Sequence, residues 1–180
     1  RGCGYGDRTN DARSEMNQEQ TEPLPPRALR DALGRYATGV TVVTAVTVTG
    51  PVGITANSFS SVSLDPPLVL WCPARRSARF AAFFEADRYS IHVLSAAQLD
   101  LCQHFARTGG DFSAVAHVID ATGFLHLPGC LARFDCLAHE RFDGGDHAIL
   151  VGRVMAAEIW PGDPLLFCGG RYGDFLQHGD

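Results

Sequence analysis

Three short stretches of this 180-residue chain carry residue types that could do chemistry. The first is Arg75-Arg76-Ser77-Ala78-Arg79, where three guanidiniums and a hydroxyl stand in a run with no acid between Asp65 and Glu85. Ser77 is suited to cap a helix, whose first N-H groups and positive dipole end would face the same place. Arginine forks match phosphate oxygens, so the run reads as an anion site, although a solvated basic turn would look the same. The second stretch runs from Gly53 to Ser63. There Thr55, Ala56, Asn57, Ser58, Ser61 and Ser63 replace large side chains where a strand ends. Such residues either leave backbone groups accessible to a flat polar ligand or bond their own backbone. The third is Gly145-Asp146-His147 ahead of an apolar strand; a histidine there can donate a proton or a hydrogen bond, or touch a dinucleotide.

Other chemistries lack their signatures. No GxSxG elbow, HExxH pair or strand-borne GxGxxG occurs, which leaves hydrolase and Rossmann readings unsupported. The cysteines, Cys3, Cys72, Cys102, Cys130, Cys136 and Cys168, form no CxxC pair, so no metal centre is expected and reduced thiols in a cytoplasmic protein are. All 15 basic residues are arginine, and the net charge of -5 argues against nucleic-acid or anionic-membrane surfaces. Tyr36 to Leu64 carries no charge, but its many hydroxyls and Gly50-Pro51 exclude a membrane span. The first residues are polar, with no apolar core of a secretion signal.

The elements that must position these stretches follow from patterning. A composition of 46% hydrophobic and 19% charged residues suits one globular domain, expected over 25–180 after a polar arm, 1–24, closed by Pro23, Pro25 and Pro26. Leu29, Leu33 and Tyr36 recur at helical spacing, and Gly34 and Gly39 end that helix. Val40 to Thr49 and Val52 to Asn57 read as a hairpin about Gly50-Pro51, and Leu68 to Cys72 as a strand buried on both faces. A helix carrying Phe80, Phe83 and Phe84, a strand over Tyr89 to Leu94 and a helix over Ala96 to Arg107 come next. Leu131 to Arg141 and His147 to Ile159 form a second hairpin about Asp143-Gly144-Gly145-Asp146, with short strands at Leu165 to Phe167 and Tyr172 to Phe175. Many strands with few helices predict a mainly β fold, an antiparallel barrel with helices at its rim.

The order of LRDALGRYATGVTVVTA, GITANSFSSVSLDPPLVLWCP, GDHAILVGRV and PLLFCGGRYGDF resembles the short-chain flavin reductases that serve two-component monooxygenases, from about Leu29 to Phe175. The resemblance implies an FMN-binding split β-barrel and a homodimer with flavin at the subunit interface. It also implies reduction of FMN or FAD by NADH or NADPH, with the reduced flavin passing to a separate monooxygenase. Carried over by position, Thr55, Ala56, Asn57 and Ser58 lie against the isoalloxazine edge, with Ser61 and Ser63 close by. Ser77, with the basic neighbours Arg75, Arg76 and Arg79, takes the flavin phosphate; His147 lies on the nicotinamide side, where it positions rather than transfers a proton; Arg171 and Tyr172 border the pocket. Two departures stand out. Phe167-Cys168-Gly169 replaces a segment that commonly holds an aromatic and a basic residue or histidine, and Arg79 stands where a small hydroxylated residue is common. The same fold also leaves open a tightly bound FMN in a small-molecule oxidoreductase, as in pyridoxamine-phosphate oxidase relatives, or a non-enzymatic flavin-binding protein.

Overall fold

Alternation and β-branching make β2, Thr41–Thr47, the central divider of the molecule. The computed structural model describes residues 25–176, so the arm expected over 1–24 lies outside the described residues. Along β2, Val43 and Ala45 face one core and Val42 faces the other, so the strand is buried on both sides. The first core joins Trp71, Tyr89, Ile91, Cys136 and Leu150 beneath α2, Phe80–Glu85, with the Trp71 indole edge-on to Phe83 at 5.2 Å. The second packs Leu94, Cys102, Phe105, Leu125 and Leu165 around α3, Leu99–Arg107, which a short 3-10 turn at Ala96–Gln98 introduces.

Strands β3 (Gly50–Ala56), β4 (Ser60–Leu64), β5 (Pro67–Trp71), β6 (Arg88–Val93), β9 (Ala132–Gly144) and β10 (His147–Ile159) join β2 in one antiparallel sheet, ordered β3-β2-β6-β9-β10-β5-β4. Its edge strands β3 and β4 do not pair, which leaves the barrel split, as expected. A smaller sheet sews β1, Thr38–Gly39, to β11 (Leu166–Cys168) and β12 (Arg171–Gly173), and β7 (Val118–Ile119) pairs with β8 (Leu125–His126). The β9–β10 hairpin turns at Gly145, whose φ of 73° favours glycine, and carries irregularities at Val151/Gly152 and Val154/Ala156. Gly152 is obligatory there by space, because a Cβ would lie 2.3 Å from the Tyr89 hydroxyl.

Several expectations change. Ser60–Leu64, read in the sequence only as small residues beyond a strand's end, is itself an edge strand, with Ser63 and Leu64 pairing with Leu68 and Pro67 of β5. Only Val69 and Trp71 of β5 are buried, so this strand has one core face. Ser77 does not cap α2: the helix begins at Phe80 with Arg79 at its N-cap, and the Ser77 hydroxyl accepts only the Arg79 N-H, at 3.3 Å. Helix α1, Pro26–Leu33, forms, but none of its residues is buried among the described residues; Leu29, Leu33 and, beyond its end, Tyr36 are 45%, 66% and 78% exposed. Among the described residues no helix is long and apolar enough to cross a membrane.

Candidate active site

The end of β3 is held rigidly from behind by α3. The Thr55 hydroxyl donates to the Cys102 carbonyl at 2.6 Å, and the Gly53 N-H donates to the Gly109 carbonyl at 2.7 Å. Arg79 crosses between them, its Nη1 donating to the Phe105 carbonyl at 2.6 Å and more weakly to the Gly53 carbonyl at 3.3 Å. A cation suits that place, since Phe105 belongs to the last turns of α3, whose carbonyls carry the negative end of the helix dipole. The two glycines permit the close approach: a Cβ on Gly53 would fall 2.5 Å from the Phe105 ring, and one on Gly109 2.0 Å from Arg79 Cδ. Beyond the strand, Ser58 bridges to β5 by accepting the Cys72 N-H at 2.9 Å.

In front of this scaffold Thr55, Ala56 and Asn57 form one wall of a small pocket of about 120 Å³, closed by Val40, Phe167 and Tyr172. The Phe167 and Tyr172 rings meet at 5.2 Å. A hydrogen bond to the Cys102 thiol, with burial adding to it, pushes the Tyr172 phenol up to about 12, so it remains a neutral donor at any physiological pH. Cys102 carries no signal in the sequence that points to this place, and Phe167 is marked there only as part of a segment that departs from the family's pattern; the long-range pairing of β1 with β11 brings Phe167 here. Ser61 and Ser63 lie farther along the edge strand, where no hydrogen bond joins them to Thr55–Ser58.

The basic run lies beside the third stretch. Ala148 N-H donates to the Pro73 carbonyl at 3.1 Å and Arg75 N-H to the Asp146 carbonyl at 2.9 Å, so Ala74 and His147 stand side by side. This contact overturns the acid-free reading of the run. Arg75 pairs with Asp143 at 2.7 Å, donates to the Gly145 carbonyl at 3.1 Å and lies over the Phe80 ring. The pairing holds the Asp143 carboxyl below its usual range, and the hydrogen bond from His147 to Asp146, at 2.7 Å, does the same for Asp146, with Arg76 assisting. Arg79 turns inward to α3, where partial burial lowers its pKa. Arg76 and Ser77 therefore remain as the outward cation and hydroxyl of the rim, flanked by Arg75 and His147.

A separate cavity of about 690 Å³ has none of these residues in its lining, its walls including His126, Arg133 and Trp160. Among the described residues no group of His, Cys, Asp and Glu could hold a metal ion.

A family model described as the flavin reductase like domain matches residues 33–175. The chain belongs to the flavin reductase-like family. It is 53% identical over 151 residues to an FMN reductase (NADH) of Agrobacterium fabrum, covering 84% of this chain and 87% of that protein. It is 38% identical over 153 residues to the reductase subunit of a flavin-dependent monooxygenase of Rhodococcus jostii, covering 84% of this chain and 78% of that one. Among solved structures, the NADH:FAD oxidoreductase of Streptomyces globisporus superposes with a TM-score of 0.81 at 37% identity, covering 87% of this chain and 96% of the other. The flavin reductase fold accounts for the split sheet, and the small-residue wall at Thr55–Asn57 suits the edge of a flat ring system approached by backbone.

Proposed function

We propose that this flavin reductase-like protein reduces free flavin, FMN or FAD, with NADH or NADPH and releases it to a separate monooxygenase. The supporting observation is two unlike surfaces tied together by the Ser58–Cys72 hydrogen bonds: the wall of Thr55, Ala56 and Asn57, and a rim where Arg75, Arg76 and Ser77 run alongside His147. A flavin has the same two parts, a planar polar ring and a phosphate. The chemistry it supplies when bound is hydride acceptance at N5, the nicotinamide leaving as the oxidised dinucleotide. The chain needs no nucleophile for this. Thr55 to Ser58 orient the ring edge, and backbone N-H groups there favour the negative charge that reduction leaves on the flavin. Arg76 and Ser77 hold the phosphate, Arg75 doing so in competition with Asp143. His147, oriented by Asp146, positions the nicotinamide side, and Arg171 and Tyr172 close the pocket.

The protein works as a homodimer in this reading. A pocket of about 120 Å³ is too small for a whole isoalloxazine, and sites for ligands of that size run to several hundred Å³. The exposed Leu29 and Leu33 of α1, with Tyr36 just beyond it, offer an apolar surface for a second copy to cover. Cys72, Cys102, Cys130, Cys136 and Cys168 are all free thiols, which fits a reducing, cytoplasmic setting.

Loss of NADH absorbance on adding FMN, FAD or riboflavin tests the reading directly. Turnover with flavin added in excess, by protein that emerges colourless from desalting, is the expected result. A yellow protein whose flavin never dissociates would instead indicate a prosthetic group, and absence of oxidation with every flavin would refute reductase activity.

A further inference from the structure

The cavity of about 690 Å³ lies where the β7–β8 hairpin, the start of β9 and the end of β10 come together, and it shares no lining residue with the pocket at Thr55–Asn57. Its walls are fixed. The Leu127 N-H donates to the buried His92 at 3.1 Å, and the Trp160 N-H donates to the Leu131 carbonyl at 2.8 Å. Between them, the Pro128 and Gly129 carbonyls accept from Gln98 Nε2 at 2.9 Å and Ser95 Oγ at 3.0 Å. The cavity is thus preformed, and its volume is ordinary for a small-molecule site. Trp160, 41% exposed, offers it an indole, and Pro128 and Pro161 add further apolar surface. Such a lining suits an aromatic ring.

The polar groups narrow the ligand further. Among the described residues no carboxylate lines the cavity, and its polar side chains are His117, His126 and Arg133. Arg133 lies over the Trp160 ring and donates from Nε to Asp135 at 3.2 Å and from Nη2 to Glu158 at 2.7 Å. Those bonds leave its Nη1 without a hydrogen-bond partner among the described residues. Two carboxylates already balance this guanidinium, so a third anion would gain little for its desolvation, whereas a neutral oxygen can accept the unused N-H groups. His117 supplies the opposite function. Its Nδ1 stands 2.8 Å from the Val115 carbonyl, which can only accept, so the proton sits on Nδ1 and the neutral ring keeps Nε2 as an acceptor. His126 has its Nε2 buried against Asp135 and Asp120, at 3.3 and 3.7 Å, and shows the cavity only the rest of its ring.

We propose that this cavity binds a small uncharged aromatic molecule carrying both a carbonyl and a hydroxyl oxygen. The ring lies against Trp160, the carbonyl accepts from Arg133 and the hydroxyl donates to His117. The site is separate from the flavin-facing one, and the inference does not depend on the reductase reading.

The test is calorimetric titration of the full chain with para-hydroxyacetophenone, which carries both oxygens and no charge, alone and with FMN in excess. Saturable binding that FMN does not displace is expected, weakened about tenfold or more by Trp160→Ala and several-fold by His117→Ala. Acetophenone, which lacks the hydroxyl, should bind more weakly and be indifferent to His117→Ala. Because Arg133→Gln would also unpair Asp135 and Glu158, the variants at Trp160 and His117 carry the test, with thermal melts to show that both are folded. Absence of binding, displacement by FMN, or affinity unchanged in both variants would overturn the proposal. Tighter binding of para-hydroxybenzoate than of para-hydroxyacetophenone would overturn it too, by making the cavity an anion site.

Discussion

Replacing Arg79 by methionine separates two roles that one guanidinium could have near a flavin site. Methionine keeps an unbranched stem against Gly109 while removing the charge. The structure gives Arg79 one strong bond, 2.6 Å to the Phe105 carbonyl, and one at the weak end of the range, 3.3 Å to the Gly53 carbonyl. A charged hydrogen bond contributes roughly 1.5 to 3 kcal/mol, but the group is only partly buried and water can reach the freed carbonyls, so about 1 to 2 kcal/mol of stability should be lost. Urea unfolding followed by tryptophan fluorescence measures this, with wild type and variant compared at one protein concentration because subunit association adds to the apparent stability. Because β3 would loosen from α3, the flavin KM should rise only modestly, a few-fold. A stability within about 0.5 kcal/mol of wild type combined with a flavin KM raised tenfold or more would refute the structural role, and would mean that the guanidinium reaches the phosphate.

Further consequences can be checked independently. Asp143→Asn frees Arg75 from its 2.7 Å pair, so the KM for FMN should fall several-fold, whereas Arg76→Ala should raise it; no response to either would remove the rim from flavin binding. His92 is fully buried and neutral, accepting the Leu127 N-H and bonding the Val42 carbonyl, and burial lowers its pKa from 6.5 to about 3. The unfolded chain thus binds the proton first, and this contribution to stability, complete above pH 6.5, should fall by about 1.4 kcal/mol per unit as the pH drops towards 3. His92→Asn should flatten that slope between pH 6.5 and 5 in urea titrations, and an identical slope would count against it. Gly152→Ala forces a Cβ to 2.3 Å from the Tyr89 hydroxyl and 3.0 Å from Cys136 Cβ, so a loss of about 1 to 3 kcal/mol is expected from the same measurement.

The strands that alternate strongly were the most legible in the sequence. β10 runs over His147–Ile159, as its pattern predicts, and the Gly-rich turn places its start. Ser60–Leu64 was hidden because a serine-rich edge strand looks like a loop until its partner is known. Composition could show that Arg75 to Arg79 have no acid near them in sequence. It could not show that the β9–β10 turn delivers Asp143 and Asp146 to the same rim, because that contact joins segments far apart in the chain. Arg79 was legible as a cation but not in its direction, which depends on Gly53 and Gly109 being bare enough for α3 to approach. Thr55, Ala56 and Asn57 stand out in the sequence by their small size, and the structure places them on one pocket wall; Cys102, an ordinary apolar residue in sequence, does not stand out.

The pairing of Thr38 with Phe167 closes nearly the whole domain into one loop. Closure of so long a loop is entropically expensive and slow relative to local hairpins such as β9–β10. During synthesis, the wall that Phe167, Arg171 and Tyr172 contribute cannot exist until the last strands have been made, whereas β2, β3 and α3 can already be in place. A chain made only as far as α3 would therefore hold the wall of Thr55, Ala56 and Asn57 without Phe167 and Tyr172 opposite it, and the pocket comes into being in one late step.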